Sequence, residues 1–177
     1  MAGNLYIPEA VNLYATDSGP NNSKHLQISG ITMPDMEQTT KEHRPGGSIG
    51  AIEIGGLGLN PLSCQFKIAG FDPQLMARFG LGTNAIEPYT MYGVIRDKSD
   101  GTKKEMKAVM RGIMAKLTKS EIKRGELADQ DHQIKEIIHY ELYFDKKEIY
   151  YYDWRSNEWR VNGVAQFAED NAILRIS

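Results

Sequence analysis

Arg44–Asp72, RPGGSIGAIEIGGLGLNPLSCQFKIAGFD, decides how the rest of the chain is read. Nine of the seventeen glycines lie between Gly46 and Gly82, so a turn-rich ribbon runs straight into the cleanest alternating stretch of the sequence. There Leu62, Cys64, Phe66 and Ile68 point to one side and Ser63, Gln65 and Lys67 to the other, the period of a half-buried strand. Asp72-Pro73 follows, a capping acceptor and the proline that suits a first helical position, with Gly80 placed to stop a short helix. The spacing of Leu75, Met76 and Phe79 predicts that they bury together against the sheet. The stretch reads as a scaffold with a projecting hairpin arm over residues 37–54.

The glycines invite two catalytic readings, and both fail on spacing. Gly46-Gly47-Ser48-Ile49-Gly50 lacks the Gly-Lys-Ser/Thr ending of a phosphate loop, and Gly56-Leu57-Gly58 runs into Leu59, Asn60 and Pro61 without a third glycine. Positive φ, bulges and close backbone approach in a twisted ribbon account for them instead.

A length of 177 residues suits one domain spanning 1–177, and 41% apolar with 25% charged residues is ordinary for a globular protein. A net charge of −2 gives no general attraction to nucleic acid or membrane. The single Cys64 excludes an internal disulfide and a cysteine metal cluster, and its place in the alternation marks it as a small buried hydrophobe. The opening MAGNLYIPEAVNLYATD has neither a basic region nor an apolar core of signal length, and no apolar run approaches the ~20 residues of a bilayer span. The expectation is a protein made in a cytoplasm, without membrane insertion, whose Asn21-Asn22-Ser23 sequon has little meaning.

In chain order, Ala10–Ala15 reads as a first strand or a docked arm, Asp17–Lys24 as a polar turn cluster and Leu26–Met33 as a second strand. Tyr89–Arg96 is a strand turned by Asp97–Gly101 into a return strand from Thr102 to about Leu117, with Met106, Ala108, Met110 and Met114 on one face. Lys123-Arg124-Gly125 makes a corner before a long strand from His132 to Phe144, and Asp145-Lys146-Lys147 turns the chain into Glu148–Trp154. The last segment, Val164–Leu174 within a C-terminal portion 164–177, is ambiguous between helix and strand. At least six strands and one short helix predict a mainly β antiparallel barrel or sandwich.

Candidate chemistry is sparse. Of the four histidines, His25, His43, His132 and His139, the last two are seven apart, on opposite faces of a strand, and cannot share a metal locally. Asp129, Asp131 and His132 lack the glycine and terminal glutamate of a calcium loop and read as a solvated loop. Neither a nucleophile elbow nor a cysteine–histidine pair is present, so the reading is of a non-enzyme without cofactor or metal. Charge is uneven: Arg96–Arg124 carries ten lysines and arginines against four acids, a local +6, and the rest of the chain carries −8. The basic hairpin holds no aromatic platform of its own, which argues against single-strand binding. Tyr150, Tyr151, Tyr152, Trp154 and Trp159 make an aromatic end suited to self-association.

The ribbon Lys41–Gly50, the return IEIGGLGL at Ile52–Leu59 and the terminal IYYYDWRSNEWRVNGVAQFAEDNAILRIS, in this order, resemble the major tail tube protein of contractile-tailed bacteriophages and related phage-tail-like bacteriocins. Asn162-Gly163-Val164-Ala165 departs from that pattern, with alanine where an acid is expected, as does the Leu174-Arg175-Ile176-Ser177 ending. The resemblance implies a structural virion protein: a β-barrel subunit of hexameric rings stacked into the inner tube of a contractile tail. Genome and tape measure protein pass through that tube. Its partners would be further copies of itself, the sheath, the baseplate and the tail terminator, with assembly in the host bacterial cytoplasm. Residues 37–54 become an inter-ring arm with Lys41, Arg44, Pro45, Gly46, Gly47 and Gly50 at its heart. Lys103, Lys104, Lys107, Tyr151 and Trp159 become candidate ring or sheath contacts, and the basic hairpin is expected to stay out of the lumen. The competing readings are a monomeric β-barrel that binds a small ligand and a tube subunit of a contractile injection or secretion system.

Overall fold

The structure, a computed structural model, describes residues 4–15, 22–82, 85–121 and 123–176. Most of the Asp17–Lys24 turn cluster and the start of the sequon lie outside them. One antiparallel path runs β1 (Tyr6–Tyr14), β6 (Glu87–Asp97), β7 (Lys103–Lys119), β8 (Asp129–Phe144), β9 (Lys147–Asp153), β10 (Glu158–Val161) and β11 (Val164–Ala165). Off this path, β5 (Cys64–Ala69) pairs with the first half of β8, and β2 (Ile28–Thr32) pairs with β5. β9 takes the second half of the same β8 edge, so one long strand serves two partners end to end.

The sheet curls until β2 meets β1. Lys24 N–H donates to Leu13 O at 3.0 Å and the Asn12 amide donates to Ser23 Oγ at 2.9 Å across that seam. Hydrogen bonds from backbone and side chain thus join the two edges that a six-strand barrel must close.

Alternation fills the interior. Cys64, Phe66 and Ile68 are buried while Gln65 and Lys67 are exposed, and Ala108, Met110 and Met114 line the same core with Met106 packed against it. Gly112 sits between the two core methionines, where an added Cβ would lie 2.7 Å from Lys135 O and 2.9 Å from Ile134 Cγ2. Opposite it the register jumps from Arg111↔His139 to Ile113↔Lys135, and Glu136 takes φ 47°. This bulge bends β8 from its β5 partner toward its β9 partner. Two non-glycine residues at positive φ, Asp145 and Lys146, form the tight turn into β9.

Several expectations change. Asp129, Asp131 and His132 belong to β8 itself rather than to a solvated loop, because Cys64–Ala69 pairs with that segment and straightens it. β1 begins at Tyr6, earlier than the alternation suggested, since its pairing with β6 extends past Pro8. Helix α1 covers only Pro73–Met76. Asp72 caps it as expected and Leu75 is buried, but the turn ends at Ala77 and Arg78 is tethered to Glu87 at 3.0 Å. Phe79 therefore leaves the helical face and stands 44% exposed. The ambiguous last segment resolves into the two-residue β11 and a second short helix, α2 (Ala168–Leu174).

Candidate assembly surfaces

The ribbon is β3 (Lys41–His43) against β4 (Ile52–Ile54), a two-stranded sheet separate from the barrel. At its root Thr39 N–H donates to Gly58 O (2.9 Å), Asn60 N–H to Glu37 O (2.8 Å) and the Thr39 hydroxyl to Asn60 Oδ1 (2.8 Å). Above that root every residue from Thr39 to Gly58 is exposed. Lys41 stands opposite Ile54, His43 opposite Ile52, and Glu42 directly opposite Glu53. Like charges across a strand pair weaken an isolated ribbon.

Arg44 and Pro45 lead into the tip, where Ser48 N–H donates to Pro45 O at 3.1 Å. Gly46, Gly47 and Gly50 have no positive φ, and a Cβ on any of them would meet nothing within 4 Å. Neither positive φ nor a close backbone approach, the reasons expected for glycine here, applies at the tip. Positive φ does apply at Gly56 (φ 77°) and Gly58 (φ 110°), near the root.

On the basic strand pair, Lys103 is exposed opposite Arg96. Lys104 reaches Asp145 at 3.7 Å and lies 5.5 Å and 5.9 Å from the rings of Tyr6 and Phe144. Lys107 lies 5.9 Å from Tyr92 and 5.8 Å from Tyr143. These aromatics come from neighbouring strands, so a scan along β7 alone does not find them.

At the aromatic end the Arg160 guanidinium sits 3.5 Å from the Tyr151 ring centre, gripping Glu148 at 2.9 Å and Glu158 at 2.6 Å. The hydrogen bond from Arg160 holds the Glu148 carboxyl below its ordinary pKa. His139 bridges Asp153 and Glu141, and its ring meets Tyr151 edge-on at 5.2 Å. Burial and the adjoining Glu141 push Tyr143 up to about 12. Trp159 stacks on Tyr150 at 5.5 Å. Tyr151 and Trp159 are half-buried within their own subunit, and Trp154 is the exposed ring of the group. Alternation alone sets Glu158 beside Arg160; Glu148 carried no such signal, because the register shift that skips Ile149 is what turns it toward the Tyr151 side of the sheet.

Inside the barrel, burial pushes the Cys64 thiol up to about 12, as suits an inert hydrophobe. Burial also lowers the pKa of His132, which stacks parallel to Phe66 at 4.9 Å.

A barrel with a separate, fully exposed ribbon bearing Ile49, Ile52, Ile54 and Leu57 is built to be completed by neighbours. The class this defines is an assembly subunit. Its fold is similar to a chain in the cryo-EM structure of an extracellular contractile injection system, the PVC sheath–tube complex in the extended state. That match has a TM-score of 0.53 and 11% identity, covering 76% of this chain and 88% of that one. A chain of the PVC sheath/tube terminator in the extended state aligns with a TM-score of 0.49 and 12% identity, over 71% and 88% of the two chains. No curated protein sequence is a match. The chain belongs to the phage tail tube protein FII family, whose model matches residues 19–174. It is a structural subunit of a tail tube.

Proposed function

We propose that the subunit forms hexameric rings that stack into the inner tube of a contractile phage tail, the conduit for genome delivery. The observation that carries this is the family match over residues 19–174 together with a ribbon whose aliphatic side chains stand exposed in the single subunit. Residues 37–54 reach the adjacent ring, with Lys41, Arg44, Pro45, Gly46, Gly47 and Gly50 at the contact. The sheath surrounds the tube, as the sheath–tube complex of the similar fold suggests. The tape measure protein and DNA pass through the lumen, and terminator and baseplate proteins close the ends. The role is structural, needing neither catalytic group nor cofactor, with assembly in the host bacterial cytoplasm.

A second reading, the tube of a contractile injection system, is favoured by the source of that similar fold. Negative-stain microscopy of the purified protein tests both, with rings or hollow tubes as the expected image. A strictly monomeric species by light scattering at high concentration overturns them in favour of a monomeric barrel.

A further inference from the structure

The path β1-β6-β7-β8-β9-β10-β11 has two ends, and each carries aliphatic side chains that the subunit leaves in water. At the β1 end these are Leu5 (61% exposed), Ile7 (39%) and Val94 (37%). Register puts them on one face, with Ile7 opposite Arg96 and Ala10 opposite Val94. At the β11 end they are Val164 (62%), Ile173 (72%) and Leu174 (63%). Helix α2 buries none of its seven residues. A helix so short does not sustain itself, and here it hangs on the Asn171 amide, which donates to Ser156 O at 3.2 Å and Asn157 O at 3.1 Å.

The free charges around the two patches run in opposite order. Beside Leu5 and Ile7 stand exposed Lys98 and Lys103, with Arg96 gripping Glu9; exposed Asp100 in the turn between them is engaged by the Thr102 amide and hydroxyl, and Glu105 lies at the far end opposite Val94. On the Ile173 side of α2 the first turn carries exposed Glu169 and Asp170, four and three residues before it, and Arg175 follows at the far end. Cations then acid on one patch face acids then cation on the other. Because the patches are different surfaces at opposite ends of the sheet path, matching them joins copies head to tail and leaves a free patch at each end of the pair.

We propose that the β11–α2 face of one subunit seats on the β1–β6 face of the next copy, and that this heterologous contact closes the ring; the inference rests on the tube reading above. The contact is made by side chains, not by strand addition. Pro8 has no N–H to offer and the register shifts at Glu9, so the outer edge of β1 is a broken template.

Two double variants test it, Ile7→Asp with Val94→Asp and Ile173→Asp with Leu174→Asp, each checked for an unchanged circular-dichroism melt. By native mass spectrometry each alone is expected to be monomeric, because one of its two surfaces is spoiled. A one-to-one mixture is expected to give heterodimers and nothing larger, since one intact surface remains on each. Rings or tubes from either variant alone overturn the proposal, as does a mixture that stays monomeric while the wild type assembles. Normal tubes that have lost sheath binding also overturn it, assigning the patch to the sheath. A wild type that never self-associates sinks the tube reading as well. Independently of those variants, Lys103→Glu is expected to raise the concentration for half-assembly about tenfold. Adding Glu169→Lys and Asp170→Lys in the same chain restores it, and failure of that rescue overturns the pairing of these charges.

Discussion

Lys24 Nζ lies 2.6 Å from Asp72 Oδ2 with both side chains almost out of solvent, tying the entry to β2 to the cap of helix α1. The second carboxylate oxygen of Asp72 accepts the Leu75 amide at 3.0 Å. One residue thus closes the barrel seam at Lys24 and starts the helix whose Leu75 plugs the core. Asp72→Asn keeps a capping oxygen but leaves the ammonium buried without its counter-ion. The expected loss is about 3–5 kcal/mol in urea unfolding. Asp72→Ala loses the cap too, about 1 kcal/mol more. Equal losses for the two variants, or a loss below 1 kcal/mol for the first, contradict this account.

The same pair has a pH signature. Burial alone raises the Asp72 pKa, but the Lys24 ammonium and the Leu75 amide outweigh it and hold it below the ordinary value. A depressed folded pKa contributes stability fully present above the unfolded value of about 3.9 and lost as pH falls through the folded one. The wild type is therefore expected to lose stability steadily below about pH 4. In Asp72→Asn that slope is shallower; identical acid limbs of the two stability curves count against it.

Gly112 and Gly47 predict opposite responses to alanine. At Gly112 the new methyl meets a backbone carbonyl at 2.7 Å opposite the β8 bulge, where neither side can yield cheaply. Overpacking of this kind costs about 1–3 kcal/mol. At Gly47 nothing lies within 4 Å and φ is not positive, so Gly47→Ala leaves the melt of the dissociated subunit unchanged or raises it slightly. Similar melts for both variants contradict the close approach.

Leu75 and Phe79, alike in the sequence pattern, separate in the structure. Leu75→Ala removes a fully buried side chain and is expected to cost about 2–5 kcal/mol. Phe79→Ala removes a ring 44% exposed and is expected to cost under about 1 kcal/mol. A larger loss at Phe79 than at Leu75 reverses the placement.

Local periodicity made the barrel strands readable. Alternation at Leu62–Ile68 and the turns at Asp97–Gly101 and Asp145–Lys147 depend only on near neighbours, and so does the ribbon beyond them. What was not legible is long-range. The register jump at Gly112 depends on β8 facing β5 and β9 in turn, a choice no single strand encodes. The Lys24–Asp72 pair spans the seam, and the aromatic neighbours of Lys104 and Lys107 come from β1, β6 and β8. After Met76 the backbone of α1 tightens to bonds from Arg78 N–H to Leu75 O and from Phe79 N–H to Met76 O, a change invisible to helical spacing.

Deleting residues 39–50 is expected to leave the barrel folded and the tube absent. β3 and β4 pair only with each other, and no core residue lies between Met36 and Leu59. The melt of the dissociated subunit should stay close to wild type, as for surface changes generally. Tubes at normal yield in electron micrographs remove the inter-ring role of the arm.

The basic strand pair β6–β7 is expected to serve assembly and not to grip DNA. In the proposed conduit role DNA has to slide through the tube quickly, and each lysine that neutralises a phosphate releases counterions and adds affinity. Repeated around every ring and along the tube, even ~1 kcal/mol per site becomes a trap. Lys104 and Lys107 already lie over aromatic rings, and Lys104 has Asp145 within 3.7 Å, so their charge is partly engaged inside the subunit. Lys103 is the exposed member, beside the apolar face of β1. Replacing all three by Gln is therefore expected to weaken assembly or its salt resistance, with most of the effect reproduced by Lys103→Gln alone. DNA affinity in a filter-binding assay is expected to stay near zero for wild type and variant alike. Tight, salt-sensitive DNA binding by wild-type tubes that the triple variant loses places these lysines in the lumen and overturns the assignment.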